Sequence, residues 1–144
     1  MMIVPTYVGP SAIEGVGIFS AAPIKAGTAI WMLEEKFDLL VPVEELATLP
    51  DLQREFIERY GYPHMTRSGL IVLEFDNGRF MNHSPAPNTD FRQPEIGWAI
   101  RDIEAGEELT CNYAEFDPSF VMLPGRNFIA SHAAQAGGSP GMMA

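Results

Sequence analysis

The chain of 144 residues has a single cysteine, Cys111, only three histidines (His64, His83, His132) and only nine Lys and Arg. One thiol excludes a disulfide framework and any cysteine-rich zinc module. The histidines stand far apart with no partner at metal-ligand spacing, so no metal site is expected. No apolar run approaches the roughly 18 residues of a membrane span. The start, MMIVPTYVGPS, has no basic segment ahead of an apolar one, so no signal peptide is read. These absences predict a reduced, cytoplasmic domain without membrane contact. The shortage of bases against nineteen Asp and Glu gives a net charge of −10 and a pI of about 4.6. Nucleic acid phosphates repel such a chain, so direct nucleic acid binding is not expected. Six acids and no base fall between Asp102 and Asp117. They read as a rim that steers a basic peptide or as plain solubility.

What is present argues for one β-rich domain. The length suits a single core, and 47% of the residues are hydrophobic, too many for a disordered chain. Twelve prolines and thirteen glycines cut the sequence into short pieces, which argues against a helical bundle. Apolar runs rich in branched and aromatic residues predict strands at Ile3–Val8, Gly17–Ala21, Thr28–Leu33, Phe37–Val41, Leu70–Phe75, Gly97–Ile100 and Glu108–Tyr113. Turns are read at Ala26-Gly27, Asn77-Gly78 and Ala105-Gly106. Between Pro50 and Tyr60 the apolar residues Leu52, Phe56, Ile57 and Tyr60 share one face of a helix. Asp51, Arg54, Glu55 and Glu58 fall mostly on the other, and a shorter helix is expected at Val43–Leu49. The domain proper is read as 3–129, with a helical insertion at about 43–61 and a C-terminal segment from about 114. The small, uncharged residues 130–144 are read as a disordered tail.

Three segments carry polar groups in suggestive order. In IEGVGIFSA, Gly15 and Gly17 flank Val16 ahead of a strand, which suits a close backbone approach to a ligand or a tight turn. In DNGRFMNHSPAPNT, the side chains of Asn82, His83 and Ser84 could read a polar heterocycle. They also suit an ordinary turn stiffened by Pro85 and Pro87. In DIEAGEELTCNYAEF, alternation places Leu109, Cys111 and Tyr113 on one face of a strand. A tyrosine there is usually core, its hydroxyl tied to a backbone group.

Taken together, IEGVGIFS, RFMNHSPAPNT and EAGEELTCNY resemble the SET-domain protein-lysine methyltransferases over about residues 3–117. The shortness resembles the minimal SET proteins of bacteria and viruses, which lack the cysteine-rich closing module. The resemblance implies a mainly β, β-clip-like fold of several small sheets. It also implies a C-terminal pseudoknot that brings Asn82, His83 and Tyr113 into one site. It implies S-adenosylmethionine as methyl donor, with Glu14, Gly15, Val16, Gly17, Asn82, His83 and Phe116 as its contacts. Tyr113 would be the catalytic residue, and Cys111, Tyr113, Phe116 and Phe120 would line the lysine channel. No general base is assigned, because an apolar channel beside a sulfonium itself lowers the amine pKa. Relatives often carry Phe or Tyr where Cys111 stands, so a roomier channel and higher methylation states are expected. Arg79 is expected to pair with an acid, Phe80 and Met81 to be core, and Asn88 to support its loop. The implied partner is a lysine-containing, basic protein, with a homodimer left open. A SET-fold binding module with lost or partner-dependent catalysis is the alternative.

Overall fold

A computed structural model describes residues 1–117. Phe120, the end of the expected domain and the tail from Ala130 lie outside the described residues. Among the described residues ten short strands form three sheets. The first holds β1 (Thr6–Pro10), β2 (Val16–Ser20), β10 (Glu108–Cys111) and β7 (Asn82–His83) in the order β1-β2-β10-β7. The second joins β3 (Ala29–Met32), β9 (Ile96–Ala99) and β8 (Thr89–Asp90), and the third joins β4 (Leu39–Pro42), β6 (Leu70–Leu73) and β5 (Tyr62–Pro63). The mainly β architecture of several small sheets is the one expected.

The breaker-rich sequence explains the short strands, and the buried faces explain their pairing. β2 and β10 run antiparallel with Leu109 opposite Ile18, both wholly buried. Each such side chain contributes about 1.5–3 kcal/mol by leaving water. Around this pair the main core gathers Ile24, Ile30, Trp31, Met81, Phe91 and Ile103. β10 also runs parallel to β7, placing Thr110 beside Asn82 and Cys111 beside His83. That pairing joins the second motif to the third.

The insertion comprises a 3-10 helix at Val43–Thr48 and an α-helix, α1, at Asp51–Tyr60. It covers a smaller core of Val41, Leu46 and Ile71. The expected apolar face of α1 needs correction. Leu52 is 79% exposed and Phe56 43%, whereas Glu58 is 2% exposed. Only Ile57 of the expected face packs on the smaller core, because so short a cluster meets α1 along one narrow line. Glu58 sits at the cost of desolvation, which raises its carboxyl pKa and leaves Oε1 without a partner. A second correction concerns the last strand. It stops at Cys111, and Tyr113 opens a 3-10 turn over Tyr113–Glu115, capped by the Asn112 side chain accepting from the Ala114 N–H. None of the described helices is long and apolar enough to cross a membrane.

Candidate active site

The second motif starts from a 3-10 turn at Asn77–Phe80, capped by the Asp76 carboxylate accepting from the Gly78 N–H. This turn sets β7 against β10. Asn82 is 8% exposed, and its Nδ2 reaches Ser11 Oγ (3.1 Å), Glu14 O (3.2 Å), Val16 O (3.1 Å) and Glu108 Oε2 (3.2 Å). The side chain therefore clamps the loop between β1 and β2. Ser11 Oγ donates to the same Glu108 carboxylate at 2.8 Å. Gly17 is required by this network, since a Cβ there would stand 2.6 Å from Glu108 Oε2 and 3.1 Å from Asn82 Nδ2. Gly15 serves differently, turning the loop at φ 51°.

His83 Nδ1 accepts from the Tyr113 N–H at 3.1 Å, and the two rings lie 5.2 Å apart. Burial lowers the His83 pKa, so the ring stays neutral and Nδ1 remains an acceptor. The Tyr113 hydroxyl donates to Met81 O at 2.6 Å. Burial holds the phenol pKa well above its ordinary value, so the oxygen keeps its proton. With that proton on Met81 O, the oxygen's other lone pair is oriented. Asn88 supports its loop as expected, donating to Glu108 O (2.8 Å) and accepting from the Thr110 N–H (2.9 Å).

Two cavities flank Tyr113. The first is a cleft lined by Glu14, Gly15, Val16, Asn82, Phe80 and the residues that both cavities share. The second is an aromatic channel that includes Trp31, Tyr62, Glu74, Cys111 and Phe116. Arg59, Tyr60, Arg79, Met81 and Tyr113 line both. Phe116 packs on Tyr62, Phe91 and Tyr113 at ring separations of 5.0, 6.1 and 5.8 Å. Burial raises the Cys111 thiol pKa well above its usual range, leaving an uncharged wall.

The expected site residues thus divide. Glu14, Gly15, Val16 and Asn82 line the cleft, and Cys111, Tyr113 and Phe116 line the channel. Gly17 and His83 stand behind the cleft, packed against Asn82 and Tyr113 respectively. Phe116 lines the channel and a further cavity beside Pro63 and His64 but not the cleft, its ring packing on Tyr62 and Phe91.

Arg79 requires correction. No ion pair is found for it among the described residues, and its guanidinium lies over Phe80 (5.0 Å) and Phe56 (5.9 Å). The aromatic faces take the place of a carboxylate. Sequence reasoning missed Arg59, Tyr60, Tyr62, Trp31 and Glu74. Arg59 reads as an ordinary surface residue of α1, yet it pairs with Glu14 at 3.5 Å across the cleft. The acids of 102–117 do not form one rim. Glu107 pairs with Arg101 at 2.6 Å, Glu108 joins the Asn82 network, and Asp117 is 1% exposed. Among the described residues no group of three or more His, Cys, Asp or Glu converges as a metal site.

The SET domain family model matches residues 15–114. The chain belongs to the SET-domain family. Solved structures agree with that assignment. A humanized mutant of the Chaetomium thermophilum Polycomb Repressive Complex 2 bound to an inhibitor is 26% identical, with a TM-score of 0.58 over 79% of this chain and 15% of that one. An active polycomb repressive complex 2 in the basal state is 27% identical, with a TM-score of 0.58 over 76% of this chain and 15% of that one. A candidate histone methyltransferase of Plasmodium falciparum, 23% identical, shares the fold with a TM-score of 0.54 over 76% of this chain and 93% of that one. This SET domain thus spans about 15% of the length of the polycomb chains it matches.

Proposed function

We propose that the chain is an S-adenosylmethionine-dependent methyltransferase acting on a lysine side chain of a protein. The observation that carries this reading is the meeting of cleft and channel at Tyr113, which lines both. The cleft residues suit the donor. Two guanidiniums, Arg59 and Arg79, and the Asn82 amide offer hydrogen-bond donors to an amino-acid carboxylate, while the Tyr60 and Phe80 rings offer a face to a heterocycle. When bound, the donor supplies a methyl already activated by a positive sulfur.

The chain's own residues then have to align and exclude water. Trp31, Tyr62, Cys111 and Phe116 form a low-polarity sleeve that suits the methylenes of a lysine. Desolvation in such a sleeve lowers the amine pKa from about 10.4. The Tyr113 oxygen, its proton committed to Met81 O, accepts weak C–H···O contacts where a methyl passes between the cavities. Alignment of this kind is the main source of rate for an activated methyl.

Two finer points belong to the same proposal. The substrate is a basic protein segment, and the cytoplasm is the place of action. The Cys111 side chain leaves the channel wider than a phenylalanine would, so di- and trimethyl products form. Mass spectrometry showing monomethyl product alone refutes that point.

Calorimetric titration with S-adenosylhomocysteine tests the cleft. Wild type binds in the micromolar range, and Asn82→Ala weakens binding at least tenfold. A folded wild type that does not bind contradicts the enzyme reading and favours a binding module.

A further inference from the structure

Glu74 follows β6 and is 6% exposed, yet it lines the channel rather than the core. Gly78 gives it room, since a Cβ there would stand 2.7 Å from Glu74 Oε2. Neither channel guanidinium neutralises it: Arg59 pairs with Glu14, and Arg79 lies over Phe80. The Tyr62 hydroxyl and the Trp31 indole are adjacent donors, but Trp31 Nε1 makes no hydrogen bond of normal length. A buried carboxylate thus lines an aromatic sleeve with no guanidinium or lysine paired to it and only the N-terminal ammonium as a nearby positive charge, so its ionised form is costly.

We propose that Glu74 is the proton acceptor for the substrate amine. The inference rests on the methyl-transfer reading and names the group that prepares its nucleophile. A lysine enters as an ammonium and gives one proton to a Glu74 oxygen, which leaves a lone pair on nitrogen. That pair forms the N–C bond to the sulfonium methyl as the C–S bond breaks, its electrons staying on sulfur. The methylated amine departs as a cation, and the Glu74 proton passes to solvent before the next turnover.

The electrostatics suit this task. Desolvation pushes the Glu74 carboxyl up to about 7, with Asp76 and Asp38 raising it and the N-terminal ammonium lowering it. Tyr62, Cys111 and Tyr113 also face it, and burial keeps all three neutral. A base poised near neutrality can both accept and release a proton at physiological pH.

The test is the pH profile of methyl transfer from S-adenosylmethionine to a pool of basic peptides, each with one lysine, between pH 6 and 10. Wild-type rate rises through about pH 7 and then levels. Glu74→Gln falls at pH 7.5 by at most about 1000-fold, the figure for an ordinary lysine that is only ~0.1% neutral there, and by less to the extent that the sleeve itself lowers the amine pKa. The deficit closes toward pH 10 as the amine loses its proton unaided. Glu74→Asp retains part of the rate, and Glu58→Gln, a buried carboxylate outside both cavities, leaves the profile unchanged. Retained S-adenosylhomocysteine binding shows that each variant is folded. Equal rates for wild type and Glu74→Gln at pH 7.5, or a deficit that stays constant to pH 10, overturn the inference and leave the methyltransferase reading intact. No transfer by wild type overturns both.

Discussion

Replacing Asn82 by alanine probes how the second motif holds the first. The Asn82 amide nitrogen has two protons but four acceptors within 3.2 Å: Ser11 Oγ, Glu14 O, Val16 O and Glu108 Oε2. Two full hydrogen bonds exist at any instant, each contributing about 1 kcal/mol. Glu108 keeps a partner after the substitution, because Ser11 Oγ still donates to it at 2.8 Å. No unpaired buried charge is left, so the loss stays near ~2 kcal/mol rather than the 3–5 of a broken buried ion pair. Urea unfolding followed by the fluorescence of Trp31, which is 5% exposed, reads this directly. Asn88→Ala is the comparison, since it also removes two short bonds, at 2.8 and 2.9 Å, together with a long one at 3.5 Å from the Thr110 hydroxyl, but lies outside the cleft. Both variants lose about 2 kcal/mol, and Asn82→Ala alone also loses affinity for S-adenosylhomocysteine. A loss below ~0.5 kcal/mol for Asn82→Ala, or equal loss of affinity in both, refutes the clamp.

Other outcomes follow from the same geometry. Tyr113→Phe removes the bond to Met81 O and costs about 1 kcal/mol of stability by calorimetric melting, while methyl transfer falls far more than cofactor affinity. The Glu74 carboxyl lies at about 7 when folded against 4.5 ordinarily, so its contribution is complete below about pH 4.5 and is lost as pH rises through 7. Wild type therefore loses up to ~3 kcal/mol between pH 4.5 and 8, and Glu74→Gln, which cannot ionise, loses less. Identical pH dependence in urea unfolding contradicts that burial cost. Leu52→Lys changes stability by less than ~0.5 kcal/mol in the same assay, because Leu52 is 79% exposed.

Much of the frame was legible because it is local. The apolar runs that became β2, β3, β4, β6, β9 and β10 announce themselves over four or five residues, and α1 by its spacing and Pro50. The two-residue strands β5, β7 and β8 carry no period at all, and their existence depends on partners far along the chain. The orientation of α1 was hidden for a related reason: periodicity shows which residues share a face, not which face meets a core. Leu52 and Glu58 exchanged their expected places on that account. At the site, the motif residues were readable and their distribution between cleft and channel was not. Gly17 and His83 lie against Asn82 and Tyr113, a relation set by the β7–β10 pairing across nearly thirty residues. Glu74 went unnoticed inside the run Leu70–Phe75, although an acid interrupting an apolar strand was a signal available to be read.

In the proposed reaction a methyl crosses from cleft to channel past Tyr113. Incubating the full chain with methyl-deuterated S-adenosylmethionine and single-lysine basic peptides, followed by mass spectrometry, tests it directly. Deuterated methyl groups are expected on lysine with wild type and none above background with Tyr113→Phe. Transfer that survives Tyr113→Phe unchanged, or its absence from a wild type that binds S-adenosylhomocysteine, contradicts it.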